Sequence, residues 1–159
     1  MAINVAILTI SGSCARAKRA DISGQTIQDI LPQDNFEVRE KTIVPDDYQA
    51  IARALKHISD KHDIDMVLTT GGTGLGPHDV TPEATASVCD RMVPGLSEIL
   101  RSEGFKKSPN AVLSRGVAGT RENTLIINLP GSPKAVRECL EIILDILPHA
   151  VDMMRGGGH

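Results

Sequence analysis

The chain has 159 residues, the length of one ordinary domain. Hydrophobic residues make up 41% of it and charged residues 23%, so the chain can form a packed core and is not of the disordered class. A formal net charge of -3 and an aromatic content of 2% argue against a nucleic-acid-binding protein, because they provide neither a broad basic surface nor a platform for base stacking.

The N-terminus and the cysteines indicate a cytoplasmic protein. No positively charged region precedes a long apolar run, and no run approaches the roughly 18 apolar residues of a membrane span, so we predict no signal peptide and no membrane association. The cysteines, Cys14, Cys89 and Cys139, lie far apart without a CxxC pair, which fits buried thiols in a reducing compartment. The histidines show no metal-site spacing.

Short apolar segments alternate with amphipathic ones. The apolar, β-branched segments predict strands at 3–10, 36–44, 64–70 and 124–129. Helical spacing, prolines and capping residues predict helices at 22–31, 45–61, from 81 onward, 94–103, 134–147 and up to 154. Thr81 is predicted as an N-cap with Pro82 behind it, and 114–120 as an edge strand or hairpin arm.

This alternation predicts a parallel sheet with helices on both faces. We therefore predict one α/β domain over residues 1–155, a three-layer α/β/α fold with a mostly parallel sheet and room for one antiparallel edge strand, followed by a flexible tail at 156–159. Ligands of such sheets bind beyond the carboxyl ends of the strands. Ser11, Asp46 and the segments 71–79 and 130–134 each follow a strand, so we expect them at one rim of the sheet.

A glycine-rich loop follows the third predicted strand and precedes a helix. Its glycines allow the backbone to approach a ligand and to present N–H groups to an anion, and the helix adds its positive end. The loop lacks both the Gly-Lys-Ser/Thr ending of a Walker A motif and the GxGxxG pattern of dinucleotide-binding proteins. Taken alone, its glycines also fit a plain tight turn.

Two acidic positions on the predicted rim suggest a cation. A carboxylate at Asp79, beside a loop suited to phosphate, would be repelled unless a Mg²⁺ ion lay between them, although Asp79 could instead cap a turn or pair with a base. Asp46 and Asp47 fit either an ordinary helix N-terminus or a second ligand for metal or substrate on the same rim.

Further polar residues at the rim suit phosphate chemistry. The segment 130–134, Pro-Gly-Ser-Pro-Lys, fits phosphate binding or an ordinary capped helix, and Ser114-Arg115 fits an anionic substrate or a solvated arginine. No nucleophile–base pair and no GxSxG elbow is evident. Phosphoryl and nucleotidyl transfer need none, because positioning and charge neutralisation suffice.

The sequence resembles the molybdopterin adenylyltransferase family, which includes a plant molybdenum-cofactor enzyme domain and the G domain of gephyrin. TGGTG at 70–74, followed by DVTPEAT at 79–85, carries the resemblance. Other segments match in family order: VAILT at 5–9, DISG at 21–24, VPD at 44–46, LSR at 113–115, TLIINLPG at 124–131 and LPHA at 147–150. The resemblance covers nearly the whole chain.

The resemblance implies a homotrimer that transfers AMP from ATP to the terminal phosphate of molybdopterin, with Mg²⁺ as cofactor, pyrophosphate as the leaving group and hand-over to a separate metal-insertion protein. By motif position, Asp79 and Asp46 correspond to the functional carboxylates, and we predict that they hold Mg²⁺. The predicted nucleotide and substrate contacts are Ser11, Thr70, Gly71, Gly72, Thr73, Gly74, Ser114, Arg115, Pro130, Gly131, Ser132 and Lys134.

Two positions depart from the family pattern. Gly12 stands where the family usually has an aspartate, and His78 stands where it often has an arginine, which would weaken charge-assisted contacts with phosphate. The main alternative is a carrier of the same fold that holds molybdopterin without adenylylating it. A second alternative is a different nucleotidyl or phosphoryl enzyme that uses the same loop.

Overall fold

The computed structural model of the chain describes residues 1–157, which fold around a sheet of six strands. The strands are β1 (Ile3–Ile10), β2 (Phe36–Val44), β3 (Met66–Thr70), β4 (Arg91–Met92), β5 (Ala118–Arg121) and β6 (Thr124–Leu129). The helices are α1 (Gly12–Ala15), α2 (Ile22–Ile30), α3 (Tyr48–Ser59), α4 (Thr81–Val88), α5 (Pro94–Lys107), α6 (Pro133–Ile143) and α7 (Leu147–Met154). Short 3₁₀ helices at Pro109–Leu113 and Leu144–Ile146 follow α5 and α6.

The sheet has the order β2-β1-β3-β6-β5-β4. Its first four strands are parallel, whereas β5 runs antiparallel to β6 and β4 runs antiparallel to β5. Ile10 pairs with Val44, and Thr70 pairs with Leu129, so the parallel strands end side by side. The segments that follow these strands consequently share one edge of the sheet, as the sequence predicts.

Two hydrophobic cores lie on opposite faces of the sheet. Residues of β1 alternate between them, with Ile7 in one core and Leu8 in the other, because successive strand residues point to opposite faces. Helices α2, α5, α6 and α7 cover the first face, and α3 and α4 cover the second. The predicted three-layer α/β/α architecture is confirmed.

Some predicted element boundaries are wrong. Helix α3 begins at Tyr48 with Asp47 as its N-cap, later than the proline signal suggested. Thr81 is inside α4, with Val80 at the cap position, because the buried Thr81 hydroxyl donates to the carbonyl oxygen of Gly71. The strand predicted at 114–120 begins only at Ala118. It lies between β4 and β6, so it is not an edge strand, and it forms the predicted hairpin arm by pairing antiparallel with β6.

The C-terminal region differs in detail from the prediction. The helix predicted at 134–147 ends at Ile143, and α7 begins at Leu147 with Pro148 in its first turn, a position where proline's missing N–H costs nothing. Of the predicted tail, Gly158 and His159 lie outside the described residues. Among residues 1–157, no helix has the length and apolarity needed to cross a membrane.

Candidate functional site

The loop between β3 and α4 depends on two glycines for its shape. Gly71 and Gly72 have φ angles of +103° and +68°, a region that side chains disfavour. A β-carbon on Gly71 would lie 2.2 Å from the carbonyl oxygen of Ile10, and one on Gly72 would lie 2.2 Å from the hydroxyl of Thr81. The chain therefore turns tightly against the ends of β1 and α4, which leaves its outer side open.

Asp79 places its carboxylate over this loop. Its Oδ2 accepts a hydrogen bond of 2.9 Å from the amide of Gly76, and a β-carbon on Gly74 would lie 2.9 Å from the same oxygen. Asp79 is partly exposed and lines the cavity described below. The acidic group and the glycine turn are thus in direct contact.

Asp46 lies on another side of the loop. Its Oδ2 accepts a hydrogen bond of 3.0 Å from the amide of Gly12, and a β-carbon on Gly72 would lie 3.5 Å from its Oδ1. Asp47, its neighbour, caps α3 instead. Ser11 caps the short helix α1, its hydroxyl accepting from the amide of Cys14. Asp46 and Ser11 are therefore at the predicted rim, outside the lining of the cavity.

The segment 130–134 forms the wall next to the glycine loop. The hydroxyl of Thr70 donates to the carbonyl oxygen of Pro130 over 2.7 Å, and the hydroxyl of Ser23 donates to that of Gly131 over 2.5 Å. Ser132 caps α6 by accepting from the amide of Ala135 over 3.2 Å. Thr70 thus fixes the wall. In the first turn of α6, Pro133 has no N–H and Ala135 is capped, so the amide of Lys134 is left without an acceptor within residues 1–157.

Ser114 and Arg115 meet the loop from the opposite side. Arg115 donates from Nε to the carbonyl oxygen of Gly74 over 2.8 Å and from Nη2 to that of Asp79 over 2.6 Å, and its Nη1 pairs with Glu83. The hydrogen bond from Arg115 holds the pKa of the Glu83 carboxyl below its usual value. The guanidinium of Arg115 is consequently occupied by the loop itself, while Ser114 lines the cavity.

These segments surround one cavity of about 600 Å³. One end is formed by polar, glycine-rich backbone, and the other by α5, the 3₁₀ turn behind it and α6, with Leu100 and Cys139 in its lining. Burial raises the pKa of the Cys139 thiol to about 11, with a smaller contribution from the charge of Glu138. The predicted residues it gathers are Gly72, Thr73, Gly74, Asp79, Ser114, Pro130, Gly131, Ser132 and Lys134.

Several residues that line the cavity were not identified from the sequence, and Arg101 and Asn128 are two polar ones among them. Arg101 reaches the cavity from α5, and Asn128 reaches it from the end of β6. The buried Asn128 amide donates to the hydroxyls of Thr69 and Thr85 over 3.0 Å each. An asparagine inside the apolar strand 124–129 could have indicated a polar network there, whereas nothing in the pattern of α5 distinguishes Arg101 from a solvated surface residue.

The acidic groups near the loop do not form a protein-only metal site. Within residues 1–157 no group of three or more His, Cys, Asp and Glu residues could hold a metal ion. In the same part of the chain, Asp46 and Asp79 form no ion pair, and each accepts a hydrogen bond through Oδ2 only. Each carboxylate therefore keeps one oxygen for another ligand.

Comparisons with known proteins agree with this architecture. Residues 6–149 match a family model described as a probable molybdopterin binding domain. The molybdopterin adenylyltransferase of Helicobacter pylori strain J99 is 41% identical over 156 residues, which are 97% of this chain and 89% of that protein. The solved molybdopterin biosynthesis enzyme MoaB of Thermus thermophilus has a TM-score of 0.91 at 48% identity, with 97% of both chains covered. The Mog protein of Mycobacterium ulcerans has a TM-score of 0.89 at 38% identity, covering 98% of this chain and 99% of that one.

Proposed function

The chain belongs to the family of probable molybdopterin binding domains, and from this premise we propose that it transfers AMP from ATP to the terminal phosphate of molybdopterin. The observation that carries the proposal is the contact between the Asp79 carboxylate and the Gly74–Gly76 turn. This contact lies in the wall of the cavity, which the first turn of α6 also lines. An acidic group, open amides and a helix N-terminus in one cavity suit a polyphosphate bound with a divalent cation.

Phosphate groups would bind at the polar end of the cavity. The amide of Lys134, which has no acceptor within residues 1–157, and the ammonium of the same residue favour an anion there. Ser23 and Thr70 hold the carbonyls of Gly131 and Pro130, so this wall is fixed before a ligand arrives. A preorganised wall lowers the entropic cost of orienting two phosphorylated substrates.

Asp79 and Asp46 are the residues that would hold Mg²⁺. Each keeps a carboxylate oxygen that accepts no hydrogen bond from residues 1–157, and Mg²⁺ commonly uses one or two protein carboxylates together with substrate phosphates. The number and type of these donors suit Mg²⁺, and within residues 1–157 no third His, Cys, Asp or Glu side chain joins them, so substrate phosphates and water would supply the remaining ligands. When bound, Mg²⁺ would supply charge neutralisation for the polyphosphate and for the leaving pyrophosphate.

The reaction we propose needs no covalent intermediate on the protein. An oxygen of the molybdopterin phosphate attacks the α-phosphorus of ATP, a new P–O bond forms, and the bond to the β-phosphate oxygen breaks to release pyrophosphate. Residues of this chain bind and align the two phosphates and exclude water from them. The Cys139 thiol, with its raised pKa, is protonated at neutral pH and is unsuited to nucleophilic attack.

The proposal extends to the oligomeric state of the protein, its cellular compartment and the transfer of its product. We expect a homotrimer in the cytoplasm that passes adenylylated molybdopterin to a metal-insertion protein, as the family resemblance implies. Light scattering should give a mass three times the 17.0 kDa of the chain. A monomeric mass at micromolar concentration would contradict the trimer.

One incubation separates the enzyme from the alternative carrier. The purified protein is mixed with molybdopterin, ATP and Mg²⁺, and pyrophosphate release is followed together with the mass of the pterin. We expect equal amounts of pyrophosphate and of a pterin bearing one AMP group. Retention of unmodified molybdopterin with no pyrophosphate would favour the carrier, and turnover with a different phosphorylated acceptor would favour another transferase.

A further inference from the structure

Arg101 is a cation in the cavity wall that the glycine loop does not use. It lies on α5, and its Nη1 donates to the carbonyl oxygens of Gly116 over 2.9 Å and of Ser114 over 3.3 Å. These bonds use both hydrogens of Nη1, so Nε–H and the two hydrogens of Nη2 remain. Within residues 1–157 those three donors have no protein acceptor. Arg101 is half-buried in the cavity wall, and neither nitrogen is among the fully buried atoms that lack a partner, so both keep some exposure to solvent.

The charge of Arg101 is also uncompensated within the described chain. No carboxylate of residues 1–157 lies within 4.0 Å of its guanidinium, whereas Arg115 is paired with Glu83. A half-buried guanidinium fixed on one side and free on the other is suited to an oxyanion that it can contact through two parallel N–H bonds. The glycine loop carries the exposed His78 and no arginine of its own, and the guanidinium of the neighbouring Arg115 is already hydrogen-bonded to the loop.

We propose that Arg101 binds a phosphate oxyanion of the substrates, with Ser114 and Gly116 holding the guanidinium in place. This assignment deepens the proposed function and depends on it for the identity of the phosphate, which belongs either to ATP or to molybdopterin. The two carbonyls fix Nη1, so Nε and Nη2 form a preoriented fork in the wall of the cavity that the glycine loop also lines. Arg101 would thus be a binding residue that orients phosphate for the transfer.

Equilibrium titrations of three variants test the assignment. Arg101→Met removes the charge, Arg101→Lys keeps the charge without the fork, and Arg137→Met is the control, an exposed arginine on α6 outside the cavity lining. Each variant is titrated separately with inorganic pyrophosphate, ATP and molybdopterin. We expect Arg101→Met to weaken binding of the phosphate donor or acceptor about tenfold or more, Arg101→Lys to weaken it less, and the control to bind like the wild type. The ligand that loses affinity identifies the source of the phosphate.

A second measurement on the wild-type protein separates binding from a purely structural role. Phenylglyoxal, which modifies accessible guanidinium groups, is applied with and without saturating pyrophosphate, ATP or molybdopterin, and the modified arginines are located by mass spectrometry. We expect ligand to protect Arg101 at least several-fold and to leave Arg137 unaffected. Equal modification of Arg101 in every ligand state, or unchanged affinity in Arg101→Met, overturns the assignment. If the protein transfers no AMP while pyrophosphate still protects Arg101, the proposed function fails and the anion site stands.

Discussion

Arg115 and Asp79, 36 residues apart in sequence, meet through the main chain of Asp79. Nη2 of Arg115 donates to the Asp79 carbonyl oxygen over 2.6 Å, while the Asp79 carboxylate accepts from the amide of Gly76. Arg115 therefore holds the loop in shape without neutralising the Asp79 carboxylate, because the charge of Arg115 is paired with Glu83. The negative charge of Asp79 remains available to a cation, and this separation of roles leads to distinct predictions for the two residues.

Replacing Asp79 by asparagine should strongly reduce AMP transfer and leave the fold intact. The amide oxygen of asparagine can still accept from Gly76, so the turn persists, while the charge is lost. We expect the turnover number to fall roughly 100-fold or more, as when one electrostatic contact to a transition state is removed. Turnover is measured by pyrophosphate release, and thermal unfolding reports the fold.

The matched control for this change is Asp47→Asn. Asp47 is another rim carboxylate, but its side chain caps α3 by accepting from Ala50 over 2.7 Å, and asparagine is an equally good cap. We expect near wild-type turnover in this variant. Wild-type activity in Asp79→Asn, or an equal loss in both variants, would exclude the role assigned to Asp79.

Gly71→Ala should destabilise the protein through the backbone. The left-handed φ angle of +103° and the approach of a β-carbon to 2.2 Å from the Ile10 carbonyl oxygen allow no relaxed side chain. We expect a loss of at least about 2 kcal/mol in the free energy of unfolding, measured in urea. The control is Gly95→Ala in α5, where a β-carbon would meet nothing within 4 Å and should add about 0.4–1 kcal/mol. Equal stabilities of the two variants would refute this account of the loop.

The Glu83–Arg115 pair should make stability depend on acid pH. The hydrogen bond from Arg115 lowers the pKa of Glu83 in the folded state from 4.5, so the pair stabilises the fold above that pH, and its contribution is lost as pH falls through the folded value. Because the Glu83 side chain is 50% exposed, we expect at most about 1 kcal/mol from this pair. Urea unfolding from pH 6 to pH 3 measures it.

Two variants isolate the pair from the other contacts of Arg115. Glu83→Gln removes the titrating group alone, so its stability deficit relative to wild type should shrink toward zero at pH 3. Arg115→Met also loses the bonds to the carbonyls of Gly74 and Asp79, so part of its deficit should persist at every pH. A pH-independent deficit in Glu83→Gln would show that the pair does not act through ionisation.

The sequence predicts the sheet and the rim that carries the candidate site because both follow from local patterns. Apolar β-branched segments are sufficient to identify β1, β3 and β6, and parallel strands necessarily bring Asp46, Gly71 and Pro130 to one edge. The assignment of Asp79 to the glycine loop similarly follows from short separation along the chain. These features depend on residues that are close in sequence, or on the common direction of the strands in a parallel sheet.

The remaining details depend on contacts that sequence spacing does not encode. Thr81 has the residue type of an N-cap, yet its hydroxyl donates to Gly71 because the loop folds back on α4. Arg115 looks like a substrate ligand, yet the same loop occupies it. Arg101 reaches the cavity only because α5 passes behind 114–116, an arrangement fixed by packing over long sequence distances. Tertiary hydrogen bonds thus decide which polar groups remain free for ligands.

Cys139 should react slowly with alkylating reagents and do so in a pH-dependent manner. Its pKa of about 11, raised chiefly by burial, leaves roughly one thiolate in a thousand at pH 8, whereas an ordinary thiol with a pKa of about 8.5 is about one quarter ionised. We expect the iodoacetamide rate at Cys139 to rise about tenfold per pH unit between pH 7 and 9, since only the thiolate reacts. Site-resolved mass spectrometry measures the rate, and Cys139→Ser identifies the labelled peptide. If Cys139 reacted at pH 7 as fast as a free thiol, α5 and α6 would have to separate and expose the thiol to solvent more than they do in this structure.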